Sequence, residues 1–256
     1  MKHKKVVIAG IALFVLMMLG GGLFMNKNSG DWSERHREDI EENVRNYVER
    51  YKLDPDKVEI KRIMEPITFP TGEEEFRVKI YYHGEPFFSY VLVGDPNTLH
   101  INSDNNITVS IFNELYLEER YEEFKPAIEY LKSIGIKDSL RPEEAKIQYF
   151  NTSLGFSNEI NDELENVFRE SNYDMNYFQK YIQEEIGRLR RLGAEFSIIG
   201  TKEGIDDILA NEMREELISL LPPANYHAQI GVRDPATGVG VEGLYDYFTV
   251  LGGEND

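Results

Sequence analysis

Cysteine is absent from this sequence. That removes any thiol nucleophile, thiolate metal site or disulfide framework, so the fold must stand on its hydrophobic core. Basic charge is also scarce, with 28 Lys and Arg against 46 Asp and Glu and a formal net charge of −18. Three of the bases and none of the acids fall in residues 1–25, so residues 26–256 hold 46 acids against 25 bases. A nucleic-acid binder needs a basic face to displace counterions, so no nucleic-acid partner is expected. Anionic headgroups would repel the same surface. A basic partner or metal cations remain compatible with it, although solubility alone accounts for such a charge.

The familiar catalytic signatures are missing too. There is no serine nucleophile elbow, no Walker sequence and no H-E-x-x-H. The five histidines, His3, His36, His83, His100 and His227, show no metal-ligand spacing. Asp95, Asn97, Asn102, Asp104 and Asn105 crowd one loop with oxygen ligands of the kind calcium takes, but the central glycine and closing glutamate of an EF-hand are lacking. Asn and Asp also favour turns in their own right. Glu73–Glu75, Glu118-Glu119 and Glu122-Glu123 sit in polar runs and read as solvated. Gly238, Gly240 and Gly243 precede the strand-like Tyr245-Asp246-Tyr247-Phe248, where a phosphate loop would need a helix. Arg188, Arg190 and Arg191 suit the end of a helix, where cations favour the dipole. No residue is therefore assigned as catalytic, cofactor-binding or metal-ligating, and no cofactor is implied.

What is present begins with an uncharged run from Val6 to Phe24, close to the roughly 20 residues that span a bilayer as a helix. Lys2, Lys4 and Lys5 precede it and only Lys27 follows closely, a bias that puts the N-terminus in the cytoplasm and the remainder outside. An uncleaved membrane anchor over residues 6–25 is the expectation, with a basic tail at 1–5 and a linker at 26–32. The alternative is a signal peptide cleaved after Gly20-Gly21-Gly22, though no A-x-A pattern follows the run.

Beyond the linker, Ile40, Val44, Tyr47, Val48 and Tyr51 recur at helical spacing, predicting one helix over 31–52 with Ser33 as its cap. Val58, Ile60 and Ile63 suggest a strand, and Pro66 to Gly72 a turn-rich break. Phe76, Val78, Ile80 and Tyr82 alternate with Arg77, Lys79 and Tyr81, and Phe87 to Val93 is rich in aromatic and β-branched residues; the two predict an antiparallel hairpin. Helices are predicted over 109–120, 121–133, 158–170, 175–192 and 205–221, a short strand over 196–199, and a closing hairpin of 226–232 with 244–250. Residues 142–150 are ambiguous between helix and strand. The expected fold class is α+β: an α+β subdomain over 33–135, then a mostly helical subdomain over 136–256 closed by a β-hairpin, with Gly135 to Pro142 as the boundary.

Arg35-His36-Arg37-Glu38-Asp39-Ile40-Glu41 and Gly84-Glu85-Pro86-Phe87-Phe88-Ser89-Tyr90 resemble motifs of a family of uncharacterised lipoproteins of Gram-positive bacteria, and Pro222 to Val250 looks similar to that family's C-terminal hairpin. The family's lipid-modified cysteine has no counterpart here. The resemblance implies a cell-surface location and no particular activity. A helix followed by an antiparallel sheet outside a membrane span also looks like the cystatin-type modules of cell envelopes, which bind proteins or peptides.

The aromatic cluster Tyr81, Tyr82, Phe87, Phe88 and Tyr90 is the candidate interaction surface, since Tyr and Phe are common at interfaces and a free sheet edge can accept a peptide. A core built from aromatics is the competing explanation. The expected function is a non-enzymatic module of the cell envelope that binds a protein or peptide. The alternatives are an envelope enzyme with a catalytic site assembled from distant residues, and a cation-binding domain using the loop from Asp95 to Asn106.

Overall fold

A computed structural model describes residues 31–102, 106–143, 145–153, 158–193, 195–233 and 240–251. In chain order the elements are α1 (Asp31–Arg35), α2 (Arg37–Glu49), a 3-10 turn (Pro55–Lys57), β1 (Val58–Thr68), β2 (Glu74–Tyr82), β3 (Phe88–Gly94), α3 (Ile107–Glu119), α4 (Tyr121–Ser133), β4 (Phe150–Ser153), α5 (Asn158–Glu170), α6 (Met175–Arg191), β5 (Glu195–Gly200), α7 (Asp207–Leu220), β6 (Ala224–Arg233) and β7 (Gly240–Val250). The fold is α+β, with a three-stranded antiparallel sheet and a mixed four-stranded one. Among the described residues no helix is long and apolar enough to cross a membrane. The expected anchor, Val6 to Phe24, lies outside them.

Among the described residues the backbone divides into two compact units, each assembled from two separated stretches. The N-terminal unit takes the described residues of Asn26–Leu115 and Ser157–Glu185, and the C-terminal unit those of Tyr116–Phe156 and Ile186–Asp256. The stretch from Gly135 to Pro142 lies inside the C-terminal unit.

In the N-terminal unit the expected first helix is two helices, broken at His36, whose ring lies against Trp32 at 4.9 Å. Trp32 turns onto Phe76 of β2 at 5.4 Å, which fixes the short first helix against the sheet. Ser33 does not cap α2; its N–H donates to Glu65 Oε1 at 3.3 Å. The stripe Ile40, Val44, Tyr47 and Val48 is fully buried, as its spacing demands. β2 pairs with β1 on one side and β3 on the other, with Tyr82 opposite Phe88 and Tyr81 opposite Ser89. Period-two alternation then puts Phe76, Val78, Ile80, Tyr82, Phe88 and Leu92 in the core. β1 runs through Pro66 to Thr68, where a break was expected. It is an edge strand of this sheet, and its register shifts between Met64 and Ile67, the setting in which a strand tolerates proline.

The C-terminal unit departs most from expectation. Its sheet runs β4-β5-β6-β7, and β5 pairs with β6 in parallel, joined by α7. It is a mixed sheet with a β-α-β crossover rather than a mostly helical half closed by a lone hairpin. Parallel neighbours need a long crossover, and α7 supplies it. The β6–β7 hairpin forms as expected and is the far edge of that sheet. Phe150, Phe196, Ile198, Tyr226, Ala228, Ile230, Leu244 and Phe248 make its buried face. Among them Arg120 is 6% exposed, its guanidinium within 5.2–5.3 Å of the rings of Tyr116, Phe124 and Phe196. It donates to Tyr116 Oη and Glu123 Oε2, each at 2.8 Å, and Arg190 also reaches Glu123. Burial lowers the affinity of Arg120 for its proton, but Glu123 and Tyr116 outweigh that and hold its pKa above the ordinary value. Arg190 thus has an ion-pair partner beyond the helix dipole.

Candidate functional site

The five aromatics of the candidate surface separate by strand parity. Tyr82 and Phe88 are core side chains, 5% and 0% exposed, and their rings stack at 5.1 Å. Tyr90 shares that face, half-buried, and its hydroxyl accepts from the Asn106 N–H at 3.3 Å. Tyr81 and Phe87 are half-buried and lie apart from the core row, with their rings 5.7 Å apart. His83 completes a three-ring cluster, 6.4 Å from Tyr81 and 5.5 Å from Phe87. The Lys61 and Lys79 ammonium groups sit 4.8 and 5.3 Å from the Tyr81 ring centroid, close enough for cation–π attraction. Glu59 bridges Lys61 at 2.7 Å and His83 at 2.8 Å. Lys61 first and His83 second hold its carboxyl below the ordinary range.

The other sequence candidates are not brought together. Asp95 Oδ1 accepts the N–H of Asn97 and Oδ2 the hydroxyl of Thr98, at 2.8 and 3.1 Å, which closes a local turn and, led by the Asn97 N–H, lowers the carboxyl pKa. Asp104 and Asn105 lie outside the described residues. Among the described residues no group of three or more metal-ligating side chains converges. His83 meets one carboxylate, while His227 lies on β6 against Tyr247, rings 3.9 Å apart and nearly parallel. Gly240 and Gly243 belong to strand β7, so the strand reading holds for them, and Gly238 lies outside the described residues.

A second candidate was not visible in the sequence. A cleft of about 790 Å³ opens where β5 and β6 end, lined by Ile199 to Glu203, by Gln229 and Gly231 to Arg233, and by Gly135, Lys137 and Ser139. Both strands are parallel, so the cleft lies outside their carboxyl ends, where open α/β sheets place ligands. Its wall is held firmly. The backbones of Lys137 and Thr201 exchange two hydrogen bonds of 3.0 and 2.8 Å. Asp138 accepts the N–H groups of Leu140 and Tyr149, each at 2.6 Å. On β6, Arg233 donates to Gln229 Oε1 and lies over the Tyr245 ring at 5.4 Å. The Gln229 amide then donates to His227 Nδ1 at 2.7 Å, an arrangement that needs a neutral imidazole. Burial first, and the charge of Arg233 second, push the pKa of His227 down to about 4. Gln229 is 3% exposed with both ends of its amide engaged, so it sets the position of the guanidinium.

Lys137, Lys202, Arg233 and Gln229 come from three separate segments, and no local motif links them. The one sequence signal was a strand, a helix and a second strand over 196–232, which marks strand ends only once the pair is known to be parallel. No family of known proteins, no curated protein and no solved structure matches the chain.

Proposed function

We propose that this chain is a non-enzymatic binding module of a bacterial cell envelope, held by a membrane anchor at residues 6–25 with its N-terminus in the cytoplasm and the remainder outside. Its partner is an envelope protein or peptide, engaged by the sheet face that carries Tyr81 and Phe87. The observation that carries this reading is the ring cluster of Tyr81, His83 and Phe87, which stands apart from the packed row of Tyr82 and Phe88 and is flanked by Lys61 and Lys79. Aromatic rings set among cations give a partner both apolar area and charge, the make-up of interface anchors. Tyr82 and Phe88 hold up this face from beneath and are not expected to touch the partner.

The test is capture of the partner by full-length protein in its native membrane. Tyr81→Ala with Phe87→Ala should abolish capture and leave the melting temperature within a few degrees. Phe88→Ala, by contrast, should cost about 3–5 kcal/mol of stability. Capture unchanged in the Tyr81 and Phe87 variant would remove this face as the site.

A further inference from the structure

We propose that the cleft at the carboxyl ends of β5 and β6 binds a small phosphate ester, with its phosphoryl group taken by Lys137, Lys202 and Arg233. This site belongs to the C-terminal unit and stands independently of the aromatic face. Three of its lining residues are cations and one, Glu203, is an acid. That balance reverses the charge of the protein as a whole, in which acids outnumber bases by 46 to 28. Among the described residues, none of these three cations forms an ion pair with a carboxylate, whereas Arg37, Lys61, Arg77, Arg120, Arg190 and Arg214 all do. Like charges gathered in one concavity repel one another, and an anion there relieves the repulsion.

The chemistry of the three groups suits a phosphoryl oxygen set. The Arg233 guanidinium presents a planar fork of donors, and Gln229 with Tyr245 fixes its position before any ligand arrives. The Lys202 ammonium donates to the Ile134 carbonyl beyond the end of α4, which uses one of its three donors and anchors the side chain at the cleft wall. Lys137 is exposed on the neighbouring segment, and its backbone is tied to Thr201. Ser139 and Thr201 line the same space and carry hydroxyls, which are neutral donors. A cleft of about 790 Å³ is far larger than a bare phosphate ion and falls in the range of small-molecule sites. Ile199 and Val232 supply apolar wall for the organic part of an ester.

The experiment is calorimetric titration of the full-length protein, in a non-ionic detergent, with inorganic phosphate, glucose 6-phosphate and glucose. Saturable binding of both phosphates, tighter for the ester, and no heat from glucose is the expected result. Lys137→Gln and Arg233→Gln should each weaken binding roughly tenfold, the loss of one charge-assisted hydrogen bond. Lys125→Gln, outside the cleft, should change nothing. Lys137 is exposed, so its variant reads binding apart from folding. Absence of heat with inorganic phosphate and the ester alike would overturn the proposal, as would binding that survives both cleft variants. So would co-sedimentation with phosphatidylglycerol vesicles in the absence of any binding to the free phosphates, which would assign the cations to a lipid surface. None of these outcomes bears on capture through Tyr81 and Phe87.

Discussion

At the scale of single residues, one half-buried and one buried polar group set the character of the C-terminal unit. His227 has a folded-state pKa of about 4 against an ordinary 6.5, because burial and Arg233 disfavour its charged form. Between those values the unfolded chain binds more protons than the folded one, so this residue makes stability rise with pH. Its contribution is complete above pH 6.5 and is lost as pH falls toward 4. The size is on the order of 1–2 kcal/mol, allowing for solvent screening of a half-buried ring. Thermal melts of wild type and His227→Gln across that range should show a stability difference that shrinks on acidification. A constant difference would mean that His227 does not titrate in the fold. Arg120 is the second such group. Arg120→Ala leaves a hole among Tyr116, Phe124 and Phe196 and deprives Glu123 of its buried partner. Urea unfolding should register a loss of about 3 kcal/mol. Arg120→Met, which keeps the packing, should lose less.

At the scale of elements, the helices were legible because their apolar positions repeat on one face. Phe124, Ile128 and Leu131 in α4, and Leu164 and Phe168 in α5, are buried at the spacing that marks them in the sequence. The β2–β3 hairpin was legible for the corresponding reason at period two. That alternation also carries the fate of the aromatics: Tyr82 follows the parity of Phe76, Val78 and Ile80, whereas Tyr81 follows Arg77 and Lys79. Taken as one cluster, the five residues hide the division. Pairing between distant strands was not legible. Nothing in Phe196 to Ile199 says that its neighbour is Tyr226 to Ile230, in parallel, across a whole helix. The cleft was therefore hidden with it, because Lys137, Lys202 and Arg233 line one space only when those strands pair. The β6–β7 ladder adds its own requirement. Gly231 and Gly243 face each other with φ of +149° and +137°. A Cβ on Gly231 would lie 2.1 Å from the Glu242 carbonyl oxygen. Gly231→Ala should thus cost about 2–4 kcal/mol, read as a lowered urea midpoint. Gly135→Ala, at φ +75° in open space, should cost only about 1 kcal/mol.

At the scale of the whole molecule, the chain builds its two compact units from interleaved stretches. Each unit holds one of the candidate surfaces: the ring cluster on the three-stranded sheet and the cationic cleft on the mixed sheet. A linear scan divides a chain at polar, glycine-rich segments and has no means of joining residues 26–115 to residues 157–185. The same limit explains why the aromatic face could be proposed from the sequence and the cleft could not. One is local to a hairpin, and the other is assembled from three segments. The face around Tyr81 and Phe87 is proposed to meet a partner in the envelope. The most direct measurement places a photoreactive amino acid at position 81, and separately at the exposed Glu38 of α2, in full-length protein in living cells. One dominant crosslinked envelope protein is expected from position 81, lost on Phe87→Ala and absent from position 38. Equal crosslinking from both positions, or a product from position 81 that persists in Phe87→Ala, would contradict it.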